Sequence, residues 1–157
     1  MKKKIIIGLA VLLIVGATCF YFINNKKTST NNTDVTVDIK TSDDIDWSKY
    51  ESYNIELSNE TVNITKEGVY YITGSLIDNS ITIETDGNVK LVLTDVTINN
   101  SNGAAIIVND AKNTYIELNG ENTLTGTVDE EIDAVIYSKD DLFFEGDGIL
   151  NITSNID

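Results

Sequence analysis

The sequence predicts an all-β protein, a truncated parallel β-helix preceded by one N-terminal transmembrane helix. Three observations carry this. Apolar residues recur in columns 25 to 30 positions apart, the segments between turns alternate with a period of two, and an uncharged run of 19 residues opens the chain.

The opening run, Ile5 to Ile23, is long enough at about 1.5 Å per residue to cross a bilayer core of ~30 Å. Lys2, Lys3 and Lys4 precede it and Lys26 and Lys27 follow. Positive charge before the span favours a cytoplasmic N-terminus, so the remainder faces outward. Phe20, Tyr21 and Phe22 close the run as an interfacial aromatic belt does. An uncleaved signal anchor fits best. A cleaved signal would need small residues at its cleavage site, and a lipoprotein acylated at Cys19 would need Leu three positions earlier, where Gly16 stands. Each fate puts Thr28 to Asp157 on the extracellular face, or in the medium if the signal is cleaved. Three parts result: 1–27 the anchor, 28–46 a polar linker without helical periodicity, and 47–157 a partial β-helix.

Within that last part, Trp47 to Tyr53 has room for one short helical turn. From Tyr53 onward Ile, Val, Thr and Asn alternate between Gly, Asn and Asp, as in Ile81-Thr82-Ile83 and Val96-Thr97-Ile98. Three blocks then repeat: VKLVLTDVTI from Val89, YIELNGENTL from Tyr115 and LFFEGDGILNI from Leu142. Superposing them sets Leu91, Ile116 and Leu142 in one column, Leu93, Leu118 and Phe144 in a second, and Ile98, Leu124 and Leu150 in a third. A second pair, AAIIVND from Ala104 and AVIYSKD from Ala134, aligns Ile106 with Ile136 and Asp110 with Asp140. Columns in register indicate stacked coils. A β-sandwich would give similar strands without them, and the leucine-rich pattern is absent. The longest insertion, Gly126 to Asp133, marks a turn, and insertions in solenoids gather on a face that often binds. The third coil is incomplete at Asp157, and the expectation is a piece of a longer protein.

Composition narrows the chemistry. There is no histidine and no arginine, which excludes a Ser-His-Asp triad, a His-held zinc and bidentate phosphate clamps. One cysteine cannot build a disulfide framework. Thr28 to Asp157 carries six lysines against all 25 acids, a formal charge of −19, which argues against nucleic acid as a partner.

The acidic turns are the candidate site. Asp129, Glu130, Glu131 and Asp133 cluster in the long insertion, Asp140 and Asp141 follow the next strand, and Asp110 lies one coil below Asp140. Stacked coils would bring Asp110 and Asp140 to about one strand spacing, ~4.8 Å. Carboxylates that close repel unless a cation intervenes, and calcium is the hard, oxygen-liganded ion for an irregular set. The alternative is a solvated acidic turn. Lys139 beside Asp140 and Asp141 reads as a structural ion pair; as a proton-abstracting base it would need a lowered pKa that nearby acids oppose. Strand parity turns Ile107 and Tyr137 outward, and Tyr115 with them, beside inward Ile116. Aromatic faces suit the C–H faces of sugar rings, so Tyr115, Tyr137 and Lys139 are the candidate carbohydrate-binding residues. Tyr50, Tyr53, Tyr70 and Tyr71 are further aromatic candidates, and Asn99 to Asn102 reads as a turn.

Four segments carry a resemblance: I-T-x-x-G-x-Y-x-x-x-G-x-L from Ile64 to Leu76, L-V-L-x-x-V-x-I from Leu91 to Ile98, S-x-G-A-A-I from Ser101 to Ile106, and S-K-D-D-L from Ser138 to Leu142. In order and spacing they resemble bacterial extracellular carbohydrate-binding domain-containing proteins. The resemblance implies a right-handed parallel β-helix that binds polygalacturonate and cellulose and holds calcium. Carried onto this chain, the calcium positions are Asp110, Asp133, Asp140 and Asp141. It is similar in architecture to the β-helical pectate lyases, but a binding role without catalysis is what is carried over. The expected partners are therefore a polysaccharide, bridged by calcium where it is acidic, and the membrane through Ile5 to Ile23.

Overall fold

The computed structural model describes residues 45–128 and 131–156. The expected transmembrane run lies outside them, and among the described residues no helix is long and apolar enough to cross a membrane. The chain divides into Met1–Asp38 and Ile39–Asp157, and all described residues belong to the second unit.

That unit is all-β, a parallel solenoid of about three turns. Among the described residues, eleven strands follow a 3-10 turn at Trp47–Lys49: β1 (Ser52–Leu57), β2 (Val62–Ile64), β3 (Gly68–Ile77), β4 (Ile81–Glu84), β5 (Asn88–Asn100), β6 (Ile106–Asp110), β7 (Asn113–Asn119), β8 (Glu121–Val128), β9 (Ile136–Ser138), β10 (Leu142–Gly146) and β11 (Ile149–Ile156). One sheet runs β1-β3-β5-β7-β10, with β8 pairing both β5 and β11; the other runs β2-β4-β6-β9. Every pairing is parallel.

Alternation writes this fold. In the first sheet Tyr70, Leu91 and Ile116 stack inward, as do Ile72, Leu93 and Leu118 one step on. In the second, Ile81, Ile106 and Ile136 stack in the same way. The result is one core, in which Ile72, Leu91, Leu93, Ile98, Ile106 and Ile116 are wholly buried. Removing one such aliphatic side chain to Ala costs about 2–5 kcal/mol in a close-packed interior.

The long strands turn a corner midway: the first half of β5 pairs β7 and the second half pairs β8. Asp95 makes that corner at φ 51, and Gly120 makes it one coil later at φ 67. The Asp95 carboxylate accepts from the Glu121 backbone N–H at 2.9 Å. It lies where a Cβ on residue 120 would be, so Gly120 serves the bond as well as the φ. Buried Asn122 completes the corner, accepting from the Val96 N–H at 2.9 Å.

The first two coils stack as the repeat predicts, with Leu91 on Ile116, Leu93 on Leu118 and Ile98 on Leu124. The third is displaced by two residues. Ile116 pairs with Phe144, not Leu142, and Leu124 pairs with Ile152, not Leu150. The displacement is already present where β10 begins, with Leu142 opposite Thr114, and the Gly146-Asp147-Gly148 corner carries it on unchanged. The Ile149 N–H donates to the Gly120 carbonyl at 2.8 Å, so Gly148 takes the place that the repeat assigns to Gly146. Gly146 instead sits against Leu118, where φ is 91 and a Cβ would strike the Leu118 carbonyl. A slip of two keeps each side chain on its face, so the hydrophobic pattern alone cannot detect it.

Candidate functional site

The outward face of the first sheet builds a groove. Two outward columns cross it: Val69, Lys90, Tyr115 and Phe143, and beside them Tyr71, Val92, Glu117 and Glu145. Over these the 3-10 turn lays Trp47 and Tyr50. Asp46 shapes that turn. Its carboxylate accepts from Ser48 Oγ at 2.6 Å and pairs with Lys49 at 2.9 Å, and these partners, Ser48 first, hold its pKa below the ordinary range. Trp47 meets Tyr50 at 5.0 Å between ring centroids and Tyr115 edge-on at 5.4 Å. Tyr115 stacks on Phe143 at 4.7 Å.

Lys90 is the hub. Its ammonium lies 2.8 Å from Glu117, 2.6 Å from Glu145 and 5.7 Å from the centre of the Trp47 ring. Burial works against the charge, but the hydrogen bonds and fields of Glu117 and Glu145 outweigh it and raise the pKa above its ordinary value. Lys90 thus ties three coils and the 3-10 turn together through one cation. The space they enclose is about 280 Å³, lined by Trp47, Tyr50, Tyr71, Lys90, Val92 and Glu117 among others. Tyr71 is 46% exposed, so its ring face is open to a ligand. Trp47 Nε1 is buried without a hydrogen-bond partner, a donor aimed at no acceptor of the protein.

The acidic turns are arranged differently. Asp110 and Asp140 follow paired strands, as the repeat predicts, with Val108 opposite Ser138. The Asp140 carboxylate, however, accepts from the Ala111 backbone N–H at 2.9 Å, which makes it a clip between coils. Asp110, Asp133 and Asp141 are exposed. Among the described residues no group of three or more acidic side chains is placed to hold a metal ion. Asp129 and Glu130 of the same insertion lie outside the described residues.

The expected ion pair of Lys139 with Asp140 or Asp141 does not form among the described residues, because Asp140 is turned toward Ala111 and Lys139 is exposed. Tyr137 stands outward opposite Ile107, half-buried. Tyr115 also points outward, yet it is only 3% exposed. Trp47 and Phe143 cover it, so it backs the groove and is not an open platform. Of the expected turn at Asn99 to Asn102, Ser101 and Asn102 form the turn, while Asn99 and Asn100 end β5; buried Asn100 donates to the Ala104 carbonyl at 2.9 Å and accepts from the Asn102 N–H at 3.0 Å.

The groove residues that sequence reasoning missed are Trp47, Lys90 and Glu117. Two signals were present. Trp47 is the only tryptophan and stands in a polar stretch. Lys90 and Glu117 occupy outward positions of the same repeat whose inward columns define the fold.

The described residues thus form a parallel β-solenoid with an aromatic, charge-lined groove on one sheet face. A family model described as carbohydrate-binding domain-containing protein matches residues 58–157, and the chain belongs to that family. A curated protein of Acetivibrio thermocellus with the same description is 32% identical over 113 residues, covering 64% of this chain and 40% of that relative. The chain therefore spans less than half the length of the relative. No solved structure matches the chain significantly.

Proposed function

We propose that this protein binds a polysaccharide outside the cytoplasmic membrane, without turnover, and that the groove between Trp47 and Tyr71 is where the sugar lies. The observation that supports this is the groove itself. It combines an exposed tyrosine face, a tryptophan with an unused buried donor, and a lysine with two carboxylates as polar rim. Sugar rings offer C–H faces to aromatics and hydroxyls to such rims. The run Ile5 to Ile23 would tether the module to the cell surface.

A domain of such negative charge repels polyuronate, so an acidic glycan needs a bridging cation such as calcium, whereas a neutral one such as cellulose does not. The test uses the full chain in a detergent without a sugar headgroup. Cellulose and polygalacturonate are each added with calcium and with chelator, and Trp47 emission is followed. Because Trp47 is the only tryptophan, emission reports this groove alone. A saturable change with either glycan is expected. Loss of the polygalacturonate response in chelator supports calcium bridging. Binding with unchanged emission places the glycan elsewhere.

A further inference from the structure

We infer that the groove is one half of a longer cleft, with a second sugar subsite across Tyr50, so that the protein grips a chain of several units. This rests on the glycan reading above. A second depression of about 420 Å³ lies beside the groove, and Tyr50 lines both. The groove at about 280 Å³ is below the usual ligand-site range of ~300–1,000 Å³, so alone it has room for little more than one ring. The two depressions together fall well within that range.

The second depression repeats the composition of the first. Its aromatic element is Tyr53, stacked on Tyr70 at 4.8 Å with 15° between the planes. Tyr70 is buried, and its hydroxyl donates to the Lys66 carbonyl at 2.8 Å, so the Tyr53 ring rests on the core. Around it stand Lys66, Glu67, Asp86 and Thr65, a mixed rim of donors and acceptors. Lys66, Glu67, Asp86 and Thr65 are all exposed.

The divider between the lobes is fixed. Asn88 Nδ2 donates to the Tyr50 hydroxyl at 2.8 Å, and Asn113 Nδ2 donates to Asn88 Oδ1 at 2.8 Å. This ladder pins the Tyr50 ring to two successive coils. The lobes therefore keep their spacing before a ligand arrives, and a chain occupying both loses little to ordering of the protein. Adjacent subsites joined by one rigid ridge suit a linear polysaccharide, whose successive rings are covalently linked.

The experiment is calorimetry on the full chain with cello-oligosaccharides and with oligogalacturonides, each from two to six units. The expected result is an affinity that rises at least about tenfold from the dimer to the longest oligomers of the series that binds. The double variant Lys66→Ala/Asp86→Ala, at exposed positions, should remove that rise. Tyr71→Ala should weaken every length. A dimer that binds with no gain on lengthening, or a double variant that keeps the full gain, overturns the second subsite and leaves the first intact. Failure of every oligomer of both series overturns the glycan reading and the cleft with it.

Discussion

The two sheets of the solenoid are built by the same inward columns, yet their outward faces differ in what lies over them. The outward column of the second sheet is Asn63, Thr82, Ile107 and Tyr137, one from each of its strands. That of the first sheet carries Lys90 and Tyr115, and the 3-10 turn folds Trp47 and Tyr50 across it. A flat strand face offers a ligand one layer of side chains. A face with a segment laid over it offers walls, and walls bring several groups to bear on one sugar ring at once. In this solenoid the coils supply the floor, and a segment preceding the first strand supplies the wall.

The two faces should differ most at their aromatic residues. Tyr71→Ala should weaken glycan binding on the order of tenfold, about 1.4 kcal/mol, because it removes the open ring face of the groove. Tyr137→Ala should leave affinity within about twofold, because among the described residues no second wall faces it. Affinity measured for both variants against the same polysaccharide decides the matter. The reverse ranking would move the site to the second sheet.

The lysines sharpen the same contrast. Lys90 is largely covered and holds two carboxylates and an indole; Lys139 is exposed. Lys90→Met leaves Glu117 and Glu145 without their shared cation and should cost about 1–3 kcal/mol of stability. It should also weaken glycan binding through the loosened Trp47. Lys139→Met should change stability by less than about 0.5 kcal/mol, as substitutions of exposed side chains do. Denaturant unfolding of the two variants reads both numbers. Equal losses would mean that Lys90 is as dispensable as an exposed surface charge.

Much of the fold was legible because inward positions must be apolar in every coil, so the columns Leu91–Ile116 and Leu93–Leu118 stand out in the sequence. What escaped was anything that parity does not constrain. The two-residue displacement of the third coil preserved each face and changed only the partners, bringing Phe144 to Ile116 and Glu145 to Glu117. Without that displacement the second carboxylate around Lys90 is misplaced. The groove was harder still to read. Its wall belongs to no repeat, and its outward floor residues obey no hydrophobic rule. The acidic residues drew attention because they cluster along the chain, but a backbone N–H in the preceding coil, that of Ala111, was the partner that Asp140 needed.

The smallest effects lie at alkaline pH. The groove and the depression beside it each hold a group whose protonated form is favoured in the fold. The Lys90 ammonium, despite its burial, is held by Glu117 and Glu145, and its pKa lies above the ordinary 10.5. The Tyr53 hydroxyl donates to Glu51, and chiefly through that bond its pKa is pushed from 10.0 to about 12. In both cases the folded pKa exceeds the unfolded one. The stabilisation is therefore complete below the unfolded value and is lost as pH rises through the folded value. For Tyr53 the window is pH 10 to about 12. Glycan binding should stay level between about pH 6 and 9, since neither group changes charge there, and decline only above the ordinary lysine value. Spectrophotometric titration should show a late tyrosine step near pH 12 that Tyr53→Phe removes. If that step is unchanged in the variant, the Tyr53–Glu51 hydrogen bond does not hold in solution. The aromatic floor of the second lobe would then lack the contact that orients it.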